Sequence, residues 1–425
     1  AAAAAAASPV ICRAADKGGM GRRLLLVVLL AAAPVPAGDD AAPRPPDPLC
    51  TPPPGDPHAP PVVEEIEIPR FPGAEAIWGS TGRDRRGHAY FAVSALGTLL
   101  PSAHLFELGP DGVAVTDRGS VLEELKRCGV LRMGESQMKI HTRILEAADG
   151  HLYFASMDER GERVDGSRLP LWGSHLWRLK DGTWEHLMTA PEGLIALGVG
   201  ERYVYALGYW DHVLYQFDTT AGTQKSVRVG SANGYVSRQV VVDARGHAYV
   251  PRIRKSDSGL LRADLVEIGA DLVERAATPL EDWLDARSRE SHGIIASTPM
   301  ADGSILFTTH RGALYRIEPP ADGGAAKATH LGWMHPEGSA YIASLFTYDG
   351  KRFVLGAARR SRGYDWVVLD LETGHRTASP LDLGDRREVL LYGTEARDGQ
   401  GRFLLGGRHI EDGAVHPYLL AVTVK

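Results

Sequence analysis

The feature that most restricts the fold is a pattern that returns along the body of the chain. An apolar segment runs into a glycine-containing turn, and an alternating aromatic and apolar segment follows. After a loop, a third segment ends near an acidic turn. Gly87, Gly150, Gly246, Gly303, Gly350 and Gly401 mark six of the turns, and one further copy turns at Gly200, Glu201 and Arg202. The segments after the turns begin at His88, His151, Tyr203, His247, Ser304, Lys351 and Arg402; the next begin at Ala103, Ser174, Val213, Ala263, Ala313, Trp366 and Tyr418. Successive side chains of a strand face opposite sides, so period-2 alternation broken by glycine turns predicts antiparallel hairpins.

Seven copies at intervals of roughly 45 to 60 residues match propeller blades of four strands each. The sequence therefore predicts an all-β, seven-bladed β-propeller over residues 62–425. Its last copy has only three strands, whereas Val62 to Ile68 is a spare strand at the start. That strand is expected to complete the last blade and close the ring. A two-domain β-sandwich is the alternative, but it does not explain the regular recurrence. Two short helical patterns, Val121 to Arg127 and Leu280 to Arg289, read as insertions on loops.

Ahead of the body, Met20 is followed by Gly21, Arg22 and Arg23, an apolar run from Leu24 to Ala33, and small residues up to Gly38. This is the pattern of a secretory signal peptide over residues 20–37, with residues 1–19 upstream of the initiator. The apolar core is too short to span a bilayer, so a secreted or periplasmic protein with no membrane span is expected. Residues 38–61, rich in Pro, Ala and Asp, read as an extended linker. Cys50 and Cys128 would enter an oxidising compartment, where they could pair; Cys128 as a buried thiol is the other reading.

The formal net charge of -6 gives no global reason to expect nucleic acid, whose binding needs clustered basic residues. An anionic ligand would need a local basic site. The sequence holds no Cys-x-x-Cys or His-Glu-x-x-His pattern, so no metal site is indicated and no cofactor is required. A structural metal at the histidine-rich loops stays open, and the chain is expected to be a monomer.

In a propeller the inner strand of each blade runs along the central channel, and the second strand returns to the same face. Positions about nine before each turn glycine should therefore meet those just past the second strand at one channel mouth. The first set is Trp78, His141, Ser237 with Arg238, Ile294 near His292, Tyr341 and Tyr392. The second is Met157, Tyr209 with Trp210 and His212, Arg252, His310, and Arg359 with Arg360. Such a collection of His, Tyr and Arg on an acidic protein reads as an anion site, although polar residues also fill propeller mouths structurally. His88, His151 and His247 follow the turns on the opposite face and read as turn residues. His175 could reach the mouth or be buried beside Trp177. The polar loop from Asp158 to Gly173 is placed to wall a substrate groove.

The segment from Lys139 to Leu145, His151 to Ser156, Tyr235 to Gln239 and His247 to Arg252 together resemble the propeller-type polysaccharide lyases, notably ulvan lyases. The resemblance implies β-elimination on a uronate-containing anionic polysaccharide. Such chemistry neutralises the sugar carboxylate, removes the acidified C5 proton and protonates the departing O4. It assigns His141, Tyr209 and Arg238 to catalysis, with Arg238 on the carboxylate, where forked permanent donors are suited. His175, Trp210, His212, Tyr249, Arg252, His292 and His310 would contact substrate, with Tyr249 exposed to the parity of its strand. Whether one tyrosine or a His/Tyr pair moves the protons stays open. The alternative is a non-catalytic propeller that binds sugar or protein; a glycosidase would want two carboxylates at the mouth, and neither set supplies one.

Overall fold

Six of the seven turns carry an aspartate as well as a glycine, the exception being Gly200, Glu201 and Arg202. Asp84, Asp243 and Asp398 accept the backbone N–H of the residue four positions on, His88 at 2.8 Å, His247 at 3.0 Å and Arg402 at 2.9 Å. The glycines between them, Gly87, Gly246 and Gly401, have φ of 92°, 76° and 82°, a backbone region that L side chains rarely adopt. A side-chain acceptor and a left-handed residue together reverse the chain. The structure, a computed structural model, describes residues 53–163, 166–231, 236–255, 257–258, 261–280, 293–320 and 324–425.

The turns connect antiparallel strands into four-stranded sheets. One runs Leu194–Val199, Tyr203–Gly208, Val213–Asp218 and Gln224–Arg228, and the next Val241–Val242, Ala248–Lys255, Leu261–Ile268 and Glu274–Pro279. A third holds Ala296–Pro299, Ile305–Thr308, Ala313–Glu318 and Lys327–Trp333; a fourth holds Tyr341–Thr347, Phe353–Arg359, Tyr364–Asp370 and Arg376–Pro380. The last contains Arg387–Arg397, Phe403–Glu411 and Ala414–Thr423, and its fourth member is Val62–Glu65 from the start of the body, paired from Val62↔Thr423 to Glu65↔Leu420. The architecture is an all-β propeller.

The expectation of seven separate sheets needs correction. Five sheets are four-stranded, and the first two repeats merge into one sheet of ten strands. The merger occurs where Thr81–Arg83 and Ile144–Glu146 pair in parallel, Gly82 opposite Ile144. A Cβ on Gly82 would lie 1.8 Å from the Ile144 carbonyl oxygen, so only glycine lets the two backbones approach this closely.

Packing follows from strand alternation. Seven hydrophobic clusters among the described residues lie between successive repeats, each drawing on the facing sides of two neighbours. Ile77, Phe91 and Phe106 of the first repeat meet Leu404, Leu419 and Ala421 of the last. Trp177 and Trp184 share a cluster with Tyr90 and Leu105, each fully buried apolar side chain contributing about 1.5–3 kcal/mol.

The stretch expected as a linker is seated on the body over its described part. Tyr348 donates to the carbonyls of Pro53 at 3.0 Å and Gly55 at 2.5 Å, and the Asp56 N–H donates to Lys425. The expected helix Val121–Arg127 is present, with the Ser120 hydroxyl accepting from Glu123 and Val121 and Leu125 buried; residues 281–289 of the other lie outside the described residues. Cys128 is buried, and Cys50 also lies outside them. No helix among the described residues is long and apolar enough to cross a membrane.

Candidate functional site

Alternation along residues 139–144 builds one wall of the channel. Ile140 and Ile144 enter the core between the first two repeats, which leaves Lys139, His141 and Arg143 in a row on the other side. Lys139 sits at the rim, with Nζ 2.7 Å from Glu159 and 4.8 Å above the Trp78 ring. His141 and Arg143 line the channel pocket beneath. Arg143 closes its floor, donating to Leu197 O at 3.0 Å and Val240 O at 3.1 Å and pairing with Glu395.

Trp78, Arg238, Gln239, Tyr341 and Tyr392 complete the wall. Arg238 and Gln239 are neighbours in sequence, yet both face the pocket, because both backbone N–H groups donate to Ile294 O, at 3.0 and 3.1 Å. The shared acceptor breaks the alternation. Arg238 Nη1 stands 3.3 Å from His141 Nε2, and the guanidinium lies 5.3 Å above the Tyr392 ring. Trp78 packs against Tyr392 at 4.9 Å and parallel to His141 at 6.2 Å. Its indole nitrogen is buried, with no hydrogen-bond partner among the described residues. About 20 Å³ remains open between these side chains, space for about one water molecule.

Burial acts on each of these titratable groups. Burial, then the charges of Arg238 and Lys139, hold His141 neutral, well below the usual histidine range. Burial pushes the Tyr209 phenol up to about 12 against the pull of Arg238, and burial raises Tyr341 likewise. Arg238 is itself opposed by burial, but Tyr341, Tyr209, Tyr392 and the Glu159 carboxylate outweigh it. At neutral pH the pocket thus combines a fixed guanidinium, a neutral imidazole and protonated phenols.

Not every expected residue joins them. His310 does, with its ring 5.4 Å from Tyr341, and Trp210 packs 4.8 Å from Tyr209 beneath Gly166. His175 is turned into its own repeat, between Glu135 and His186, each at 2.9 Å. His212 is fully buried, its Nδ1 2.7 Å from Pro251 O in the next repeat. Tyr249 points into the blade, donating to Asp243 and accepting from Arg245 at the opposite end of the sheet, both at 2.8 Å. Arg252 swings to the outer strand and grips Glu274 with two bonds of 2.8 and 3.0 Å. These four assignments to substrate contact are corrected on that geometry; His292 lies outside the described residues.

The rim also holds groups that spacing did not find. Glu159 and Glu162, from the loop that follows Met157, both act on the Tyr209 phenol. Burial and the Glu159 charge push Glu162 up to about 7. Arg408 covers Trp78 at 5.1 Å. The one signal for the two glutamates was their place in a long polar loop beside a channel strand. Among the described residues no group of three or more His, Cys, Asp or Glu side chains is placed to hold a metal ion.

No family model matches the chain, and no curated protein matches it. Among solved structures it is similar to a protein of unknown function from Dyadobacter fermentans DSM 18053, with 12% identity, 85% of this chain and 99% of the other covered, and a TM-score of 0.50. U3-55K gives 8% identity, 85% and 98% coverage and a TM-score of 0.48. The β-propeller domain of the Trilobed protease from Pyrococcus furiosus, described as having an open velcro topology, gives 11%, 82% and 94%, and 0.45. Likeness at such identities speaks to the fold alone.

Proposed function

We propose that the protein is a secreted polysaccharide lyase that cleaves a uronate-containing anionic polysaccharide by β-elimination, similar to the ulvan lyases. Its body is read as seven blades, the merged sheet counting as two, with the N-terminal strand closing the ring. The seven inter-repeat clusters support this count. The observation that carries the activity is the convergence of Arg238 on His141 Nε2 at 3.3 Å within a ring of tyrosines.

In the resting site Arg238 donates to the lone pair of neutral His141. A substrate carboxylate competes for the guanidinium, which spreads the developing enolate charge and releases Nε2. The C5 proton passes to Nε2, its electron pair forms the C4–C5 double bond, and the C4–O4 bond breaks. O4 takes a proton from Tyr209, whose phenol is held protonated by burial. Burial thus favours a His/Tyr division of labour over a single tyrosine, since a phenol near 12 is a poor resting base and a competent acid.

A second reading, a non-catalytic sugar-binding propeller, draws on the roughly 20 Å³ left in the pocket, which admits no sugar unless the rim side chains move. Incubation with a panel of uronate polysaccharides, followed through the absorbance of unsaturated uronate ends, separates the two. The lyase gives rising absorbance on at least one polymer; binding without absorbance on every polymer favours the binder.

A further inference from the structure

Beside the small pocket lies a larger opening. A groove of about 660 Å³ runs between residues 359–364 and residues 380–389, a size typical of ligand sites. Its basic character comes from the hairpin that follows the strand Phe353–Arg359. Arg359, Arg360 and Arg362 fall within four residues there, and the turn is closed by the Arg360 N–H on Gly363 O at 3.0 Å, with Gly363 at φ 93°. Arg386 lines the groove from the last repeat, and the lining as a whole holds four arginines against the carboxylates of Asp382 and Glu388.

Two of the four arginines are already engaged. Arg360 pairs with Glu337 and lies 3.7 Å from Asp365, and Arg386 pairs with Glu65. Arg359 and Arg362 are exposed, and their side chains make no hydrogen bond or ion pair with a described residue. Arg359 also joins the groove to the mouth. It stands opposite Tyr341 in the strand register, and its charge acts on the phenols of Tyr341 and Tyr364.

We propose that this groove is an anion subsite, in which Arg359 and Arg362 hold a sulfate or carboxylate substituent of the polysaccharide whose reacting unit lies at the mouth. The inference rests on the lyase reading and adds that the substrate carries a second charged group outside the cleaved unit. The pocket leaves only about 20 Å³ open, so even with the rim side chains moved aside for the reacting unit the rest of a polymer must lie along the adjoining surface. Two unengaged guanidiniums present forked donors suited to oxyanions.

Immobilised dextran sulfate and carboxymethyl-dextran test it, because they carry sulfate or carboxylate and no uronate to eliminate. The wild-type protein is expected to bind one or both at low salt. Arg359→Ala/Arg362→Ala should bind about tenfold or more weakly at an unchanged melting temperature. Preference for dextran sulfate identifies sulfate as the substituent, and the reverse preference identifies carboxylate. Equal binding by wild type and double variant overturns the proposal, as does tighter binding to duplex DNA than to either polymer. If the uronate panel stays silent while binding depends on the two arginines, the subsite stands and the elimination falls. If the panel responds while binding ignores them, the elimination stands and the subsite falls.

Discussion

Arg143 in the second repeat and Glu395 in the last form a buried ion pair across the propeller axis, 252 residues apart in sequence. Arg143 also donates to Leu197 O and Val240 O of the third and fourth repeats and to the Ser297 hydroxyl of the fifth, so one side chain ties five repeats at the channel floor. Arg143→Ala would break the buried ion pair by removing one of its two members, which costs about 3–5 kcal/mol. Urea unfolding is expected to show that loss, and a smaller one in Arg143→Met/Glu395→Leu, where both charges are gone. Equal losses in the two variants would mean that the ion pair is not what the floor depends on.

The protonation states at the mouth set a pH profile. His141 is neutral well below its usual range and Tyr209 stays protonated up to about 12. Base and acid are then both in their working forms across a wide interval. The expected kcat/KM is flat from about pH 6 to about pH 10. An acid limb centred near the ordinary histidine value would show that His141 is not desolvated in the working enzyme.

Stability should depend on pH through other histidines. Burial foremost holds His186 and His212 down at about 4, whereas an unfolded histidine titrates near about 6.5. Between those values the unfolded chain takes up protons that the folded chain refuses, so stability falls as pH drops from about 6.5 to about 4. Glu135 behaves differently: burial opposes its charge, but His175 and Arg132 hold it at about 2. Its stabilisation is complete above the unfolded glutamate value and fades only as pH falls from there toward about 2. The melting temperature is expected to drop by about 5 °C or more between pH 7 and pH 4.5, and by less in His186→Leu. A flat profile would contradict the burial of these imidazoles.

Removal of residues 53–65 would strip the edge strand from the last sheet, expose the edge of the strand Ala414–Thr423 from Leu420 to Thr423 and free Tyr348 from Pro53 and Gly55. A lower melting temperature and concentration-dependent aggregation are expected, measured by thermal unfolding with light scattering. An unchanged melting temperature would make the N-terminal strand dispensable.

Much of the mouth was legible because the distance from channel to turn is fixed by strand length. Counting nine residues back from the turn glycines reached Trp78, His141, Tyr341 and Tyr392, all of which line the pocket. In the fourth repeat the count falls on Ser237, and it is its neighbour Arg238, taken together with it, that lines the pocket, since the doubled acceptor at Ile294 O shifts the register and a backbone irregularity leaves no mark in composition. Strand parity already offered the inward direction for Tyr249, which Asp243 holds there, but it was silent on His175 and Arg252, whose directions are decided by Glu135 and Glu274, partners that fold beside them from other segments. Glu159 and Glu162 lie on a loop with no period to read. The merging of the first two sheets hung on a single glycine, Gly82, that resembles any other in the sequence.

The most direct test of elimination at this mouth is the unsaturated-uronate absorbance assay on the responsive polymer, run with wild type, His141→Ala, Tyr209→Phe and Arg238→Gln at matched melting temperatures. The account expects each substitution to lower kcat/KM by about 100-fold or more, with Tyr209→Phe acting mainly on kcat because its proton is given only as O4 departs. Full activity in Tyr209→Phe and His141→Ala would contradict it.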